Sequence, residues 1–249
     1  MSKIIFVGAG PGDPDLITVK GRRAIESADI IVHAGSLVPR PMLAWAAPGA
    51  ETIDSSGLAF DEIMEIFARA HRDSLALVRL HSGDPSLFGA IQEQIDWLLD
   101  NRMDFEIIPG VTAAFAAAAV IGRELTLPEA SQTVIFSRVA GRTPVPKGQD
   151  LESLAKIQAT LCLYLSVDKV DEIAADLLKH YPPDTPTAVV YHASRPDEKT
   201  WRQPLSDLAK VVTEARITST AVILVGAALG AKGARSKLYD KEFTHGCRE

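Results

Sequence analysis

Cysteine is nearly absent from this sequence: of 249 residues only Cys162 and Cys247 carry a thiol, far apart in the chain. Two such residues make neither a disulfide framework nor a paired-cysteine metal motif, and a reducing, cytoplasmic setting is expected. Positive charge is not in excess, since 26 lysines and arginines against 32 aspartates and glutamates leave a formal charge of -6. A general nucleic-acid binder needs a broad basic face, so nucleic acid is not an expected partner. Long apolar runs are missing too. The longest, Val111 to Ile121, is mostly alanine and falls short of the roughly 20 residues that cross a bilayer, so no membrane role is expected. The start runs from Met1 directly into Lys3-Ile4-Ile5-Phe6-Val7-Gly8 without a charged leader, h-region or cleavage site, and secretion is not expected. The six histidines form no His-x-x-x-His pair and no His-Glu-x-x-His, so no protein metal site is expected.

What is present is apolar residue in quantity, 47% of the chain, enough to bury a full core. Short β-branched runs alternate with amphipathic helical stretches, the pattern of parallel sheets covered by helices, and the fold class is α/β. Strands are expected at Lys3 to Val7, Asp29 to Val32, Leu75 to Leu80 and Phe105 to Ile108. In the second half they are expected at Thr133 to Phe136, Thr160 to Leu165, Thr187 to Tyr191 and Thr220 to Val225. Between Asp61 and Arg72, Ile63, Ile66, Phe67 and Ala70 recur at helical spacing, and helices are also expected at Val170 to His180 and Leu205 to Ala215. The junction between halves falls near Pro109 to Ala117, dividing the chain into domains 1–113 and 114–231 with an extension at 232–249.

Two strand-to-helix turns stand out. Gly8-Ala9-Gly10-Pro11-Gly12-Asp13-Pro14 follows the first strand, and His81-Ser82-Gly83-Asp84-Pro85-Ser86-Leu87-Phe88 follows another. Glycine lets a backbone approach a ligand closely, but the same residues also make a bare tight turn. The dinucleotide fingerprint fails because Asp13 stands where its third glycine belongs. No Gly-Lys-Ser/Thr triplet is present, which removes the phosphate loop of nucleotide triphosphatases. Ligands of open parallel sheets bind outside the carboxyl ends of the strands, so two such loops can line one crevice.

With these motifs in hand, the sequence resembles the tetrapyrrole, or class III, methyltransferases, through Val7 to Pro14 and Gly83-Asp84-Pro85. The likeness continues through Pro109-Gly110-Val111-Thr112-Ala113, Ser194 to Lys199 and Ser219 to Gly226, in family order. Ala34 to Val38, Phe136 to Pro146 and Tyr191 to Pro196 are similar to the branch that methylates C11 of precorrin-4, with the uroporphyrinogen III branch as competitor. The resemblance implies two α/β domains with a cofactor trough between them, the tetrapyrrole methylase fold, and a homodimer. It implies S-adenosylmethionine as cofactor, S-adenosylhomocysteine as product and a tetrapyrrole as substrate. Cofactor contacts carried over are Pro11, Gly83, Asp84, Leu87, Thr112, Ala113, Leu165, Ala193 and Ala221. An RNA ribose methyltransferase and a non-catalytic cofactor-binding protein are the readings from other classes.

Methyl transfer from a sulfonium is an in-line displacement, served by alignment and water exclusion more than by strong acid. A multiply carboxylated substrate must meet local positive charge. Between Glu129 and Asp150 no acidic residue occurs while Arg138, Arg142 and Lys147 do, making this loop either a substrate clamp or a solvated basic loop. Asp13, Asp54, His33 and His81 can each act on a proton. Asp13 is the catalytic candidate because its loop faces the crevice; capping of the next helix is the other reading.

Overall fold

The computed structural model describes residues 3–141 and 143–232. They form two compact units. One comprises the described residues up to Ala116 together with Ser194–Pro196, and the other runs from Ala117 to Ala193 and onward from Asp197.

The first unit is built from βα repeats: β1 (Ile4–Gly8), α1 (Val19–Glu26), β2 (Ile30–His33), α2 (Arg40–Leu43), β3 (Glu51–Asp54), α3 (Phe60–Arg72), β4 (Leu77–His81), α4 (Gln92–Asp100) and β5 (Phe105–Ile108). All five strands are parallel, in the order β3-β2-β4-β1-β5. On one face, Phe6, Ile30 and Leu77 pack with Phe67 of α3 and Leu98 of α4; on the other, Val7, Ile31 and Leu80 pack with Ile25 of α1 and Met42 of α2. In α3 the expected stripe is buried at Ile63, Phe67 and Ala70, and Glu62 turns back to accept the Ala59 N–H at 2.7 Å. That one half of a capping box supports the start of a helix whose preceding residue has no capping side chain.

This alternation positions the loops. The chain leaves β1 toward the α1 face and leaves the adjacent β4 toward the α4 face. The carboxyl ends of the neighbouring β1 and β4 therefore lead to helices on opposite faces, the switch of direction at which open α/β sheets bind ligands.

The helix α5 (Ala113–Val120) leads into the second unit, which holds β6 (Val134–Ser137), α6 (Leu151–Ala155), β7 (Thr160–Leu163), α7 (Val170–Leu177), β8 (Pro186–Tyr191), β9 (Lys199–Pro204), α8 (Leu208–Glu214) and β10 (Ala221–Val225). Here the expected parallel sheet is corrected. The order is β6-β7-β10-β8-β9, and only β6 and β7 run parallel. The strand β9, not expected from the sequence, returns beside β8 and reverses direction without an intervening helix. Its sequence, Lys-Thr-Trp-Arg-Gln-Pro, is polar because it lies at the edge of its sheet, as does the equally unexpected β3, Glu-Thr-Ile-Asp. Edge strands bury one side at most and carry charge that blocks further pairing. The second core gathers Leu161, Leu163, Ile173, Leu177, Val189, Leu208 and Ile223. No helix among the described residues is long and apolar enough to cross a membrane.

Candidate functional site

In the first unit three loops join at the carboxyl ends of β1 and β4. The Ala9 N–H donates to the His81 carbonyl at 2.7 Å, and Gly10 and Gly83 exchange both backbone hydrogen bonds, at 3.2 and 2.7 Å. Gly10 and Gly83 adopt φ of +76° and +62°, values that a side chain disfavours. The third loop is pressed against them. A Cβ on Gly110 would lie 2.1 Å from the Gly83 carbonyl oxygen, and one on Gly8 would lie 2.6 Å from the Gly110 Cα.

Asp84 staples this assembly. Its Oδ1 accepts the Ser86 N–H at 2.8 Å and its Oδ2 accepts the Gly110 N–H at 2.9 Å, so both carboxylate oxygens hold backbone. Thr112 is buried, and its carbonyl accepts from Phe115 and Ala116 at the start of α5, beside Ala113. Pro11 and Leu87 are half-buried on the first and second loops. The structure thus gathers Pro11, Gly83, Asp84, Leu87, Thr112 and Ala113 in one place.

Asp13 lies at the edge of this group, where its Oδ1 accepts the Asp15 N–H at 2.9 Å and caps the 3-10 turn Pro14–Leu16. The Asp13 N–H donates to Ser194 Oγ at 2.9 Å, and Arg195 Nη2 donates to the Leu37 carbonyl at 3.1 Å. The segment Ser194–Pro196 therefore ties the first glycine loop to the Ala34–Val38 turn.

The other proton-active candidates sit nearby. His81 is buried, and desolvation, reinforced by the Arg79 charge, pushes its imidazole down to about 3, so it is neutral. Arg79, which the sequence did not single out, is buried below it and donates to Ser55 Oγ at 2.8 Å. Burial lowers its guanidinium to about 10, still charged at neutral pH. His33 and Asp54 stand opposite each other at the ends of β2 and β3, and the Asp54 carboxyl is held low by the Ser56 N–H and hydroxyl, then by His33.

In the second unit Leu165, Ala193 and Ala221 lie at one end of the sheet, where β7 and β8 finish and β10 begins. Tyr191 ends β8 opposite Ala221 at the start of β10, and the antiparallel register of β7 and β10 carries Leu165 toward the same end. Leu165 is 72% exposed although apolar, and its φ is +52°. His192 and Ser194, on either side of Ala193, have φ of +50° and +67°, and Thr220 before Ala221 has +54°. Ser74, Arg102, Gln158 and Arg216 share this conformation but follow helices, where a left-handed residue ends the last turn. The residues at the strand ends have no such reason, and backbone strain of about 1–3 kcal/mol each collects at functional sites. None of them is glycine or asparagine, so no sequence signal marked them.

The basic loop resolves unevenly. Arg138 turns inward to donate to the carbonyls of Thr143 at 3.1 Å and Pro144 at 2.8 Å, bracing its own loop. Lys147 is exposed, and Arg142 lies outside the described residues.

The donor set fits a ligand that is cationic or neutral rather than a phosphate. Residues 8–14, 82–88 and 109–113 contain no lysine or arginine, Asp13 and Asp84 being their only charged side chains. Backbone groups and small residues at these loops, free of cationic side chains, suit a nucleoside carrying a sulfonium. Among the described residues no group of three or more His, Cys, Asp or Glu is placed to hold a metal ion.

Comparison with known proteins agrees. The model of the tetrapyrrole (corrin/porphyrin) methylases matches residues 3–209. The cobalt-precorrin-4 C(11)-methyltransferase of Methanocaldococcus jannaschii is 49% identical over 249 residues, 99% of this chain and 96% of that protein. The X-ray structure of a cobalamin biosynthetic enzyme, cobalt precorrin-4 methyltransferase, superposes with a TM-score of 0.90 at 42% identity, covering 92% of this chain and 96% of that one. Uroporphyrin-III C-methyltransferase from Thermus thermophilus, complexed with S-adenosylhomocysteine, gives a TM-score of 0.77 at 30% identity, covering 92% and 94%. The chain belongs to the tetrapyrrole methylase family.

Proposed function

We propose that this chain transfers the methyl group of S-adenosylmethionine to C11 of precorrin-4 or its cobalt complex. The observation that supports it most directly is the near full-length likeness, at 49% identity, to an enzyme of that name, joined to a glycine-loop site without phosphate-binding cations. The bound cofactor supplies an electrophilic methyl group on sulfur; the chain's residues bind, orient and exclude water. Pro11, Gly83, Leu87, Thr112 and Ala113 offer backbone and small apolar surface on the first unit, and Leu165, Ala193 and Ala221 do so on the second. Asp84 acts on the loop backbone, and Asp13 shapes the loop through its cap. Good alignment lowers such a barrier by roughly 7 to 11 kcal/mol, the main term available without a strong acid.

For the substrate carboxylates Lys147 and Arg142 form the clamp, with Arg138 setting the shape of the loop. A homodimer in the cytoplasm and domains at 1–113 and 114–231 complete the reading. The test is mass spectrometry of the tetrapyrrole after incubation with labelled S-adenosylmethionine and a precorrin-4-generating enzyme mixture. One labelled methyl on that substrate and none on uroporphyrinogen III is expected. Label on uroporphyrinogen III, or on neither, refutes the assignment.

A further inference from the structure

The motif Tyr191 to Pro196 contains an acid–base arrangement that the binding loops leave unused. His192 Nδ1 stands 2.8 Å from Asp197 Oδ2, and the imidazole lies stacked on the Tyr191 ring with centroids 3.7 Å apart and planes 17° from parallel. Its side chain is only 17% exposed, while that of Asp197 is 62% exposed. Two restraints thus fix the imidazole, one in its plane and one on its face. A carboxylate on Nδ1 selects the tautomer with the proton there, leaving Nε2 as an acceptor, as orienting carboxylates do in acid–base pairs.

The location is as specific as the geometry. His192 follows directly on β8, precedes Ala193, and its N–H donates to the Thr220 carbonyl at 3.1 Å, next to Ala221. It is therefore at the end of the sheet that carries the second unit's proposed cofactor positions, in a left-handed backbone conformation, φ +50°, uncommon for a residue other than glycine.

We propose that His192 Nε2 is the proton acceptor of the methyl transfer, with Asp197 as its positioning residue; this rests on the function proposed above. Carbon methylation by a sulfonium moves one positive charge onto the substrate. The electron pair of the attacking ring carbon forms the new C–C bond, and the C–S bond breaks with its pair going to sulfur. In metal-free precorrin-4 the ring N–H conjugated with that carbon passes its proton to Nε2, so the charge gained on methylation leaves the ring and an imidazolium stands beside the Asp197 carboxylate.

Two measurements test this. The first uses the ligand-free protein: the long-range proton–nitrogen spectrum of its imidazoles should show His192 protonated at Nδ1 alone, with that preference lost in D197A. Protonation at Nε2 overturns the proposal. The second compares the wild type, H192Q and D197N in single-turnover methyl transfer and in calorimetric binding of S-adenosylmethionine. H192Q should slow transfer by about 100-fold or more, as removal of a general base does, with cofactor affinity within threefold and part of the rate restored by added imidazole. D197N, at an exposed carboxylate, keeps the test open if H192Q does not fold; it should lose about tenfold in rate with affinity kept. Unchanged rates, or rate losses that track lost affinity and that imidazole does not restore, overturn the assignment. A wild type that labels no tetrapyrrole refutes the underlying function and the proton acceptor with it, whereas a labelling wild type with unaffected variants refutes the acceptor alone.

Discussion

Replacing Asp84 with asparagine changes one oxygen for an NH2 group at nearly constant volume, so its consequences follow from hydrogen bonding alone. The wild-type carboxylate accepts two backbone N–H groups, from Ser86 at 2.8 Å and Gly110 at 2.9 Å. Hydrogen bonds to a charged acceptor are worth about 1.5–3 kcal/mol each. Asparagine keeps one of them in weaker, neutral form and turns a donor toward the other N–H, which loses its partner. A net loss of about 3 kcal/mol, confined to the contact between the second and third loops, is expected. If the loops must regain this contact to hold the cofactor, affinity for S-adenosylmethionine falls by about 100-fold, at 1.4 kcal/mol per factor of ten. Calorimetric titration measures the affinity, and hydrogen exchange at the Gly110 amide reports the loop directly. Affinity within threefold of wild type, with the Gly110 amide as protected as before, would refute the assignment of Asp84 as the staple.

The glycine contacts make a second prediction: Gly110→Ala places a methyl group 2.1 Å from the Gly83 carbonyl oxygen and should abolish measurable cofactor binding, whereas Gly57→Ala, with nothing within 4 Å, should bind normally. Equal binding by the two variants in the same titration would contradict the close approach. His81 makes a third, in stability. Burial and then Arg79 lower its imidazole to about 3. The unfolded chain therefore takes up a proton near pH 6.5 that the folded chain refuses. Stability is fully present above about 6.5 and is lost as pH falls toward 3, at about 1.4 kcal/mol per unit. Relative to H81Q, the wild type should lose about 3 kcal/mol between pH 7.5 and 4.5 in urea unfolding. Comparing the two proteins cancels every other titration they share, and a difference that does not change with pH defeats the prediction.

Much of the first unit was legible because its strands are buried on both faces. Ile4 to Val7 and Leu77 to Leu80 read as nearly continuous apolar runs bounded by glycine turns, and a helix of the right length follows each. The same logic hid β3 and β9: a strand at a sheet edge has no second neighbour and gains little from apolar alternation, so Glu51–Asp54 and Lys199–Pro204 look like loop. Missing β9 also concealed the antiparallel pairing of the second sheet. The glycine loops were readable for a different reason. Gly8 and Gly110 leave no room for a side chain and Gly10 and Gly83 need positive φ, so few other residues satisfy those positions.

Legibility of this kind stops where ordinary residues adopt unusual conformations. Leu165, His192, Ser194 and Thr220 take left-handed backbone angles with side chains that oppose them, and nothing in their identities announces it. Such strain persists only if surrounding structure over-determines it, and the means are visible: the His192 N–H is bonded to Thr220, its ring is held by Tyr191 and Asp197, and the Ser194 hydroxyl is fixed by the Asp13 N–H. Each restraint comes from a residue remote in the chain or from a side chain with other common uses, so it exists only in the folded protein. The glycine loops at the ends of β1 and β4 are therefore written in composition, whereas the strained strand ends become readable through tertiary contacts alone.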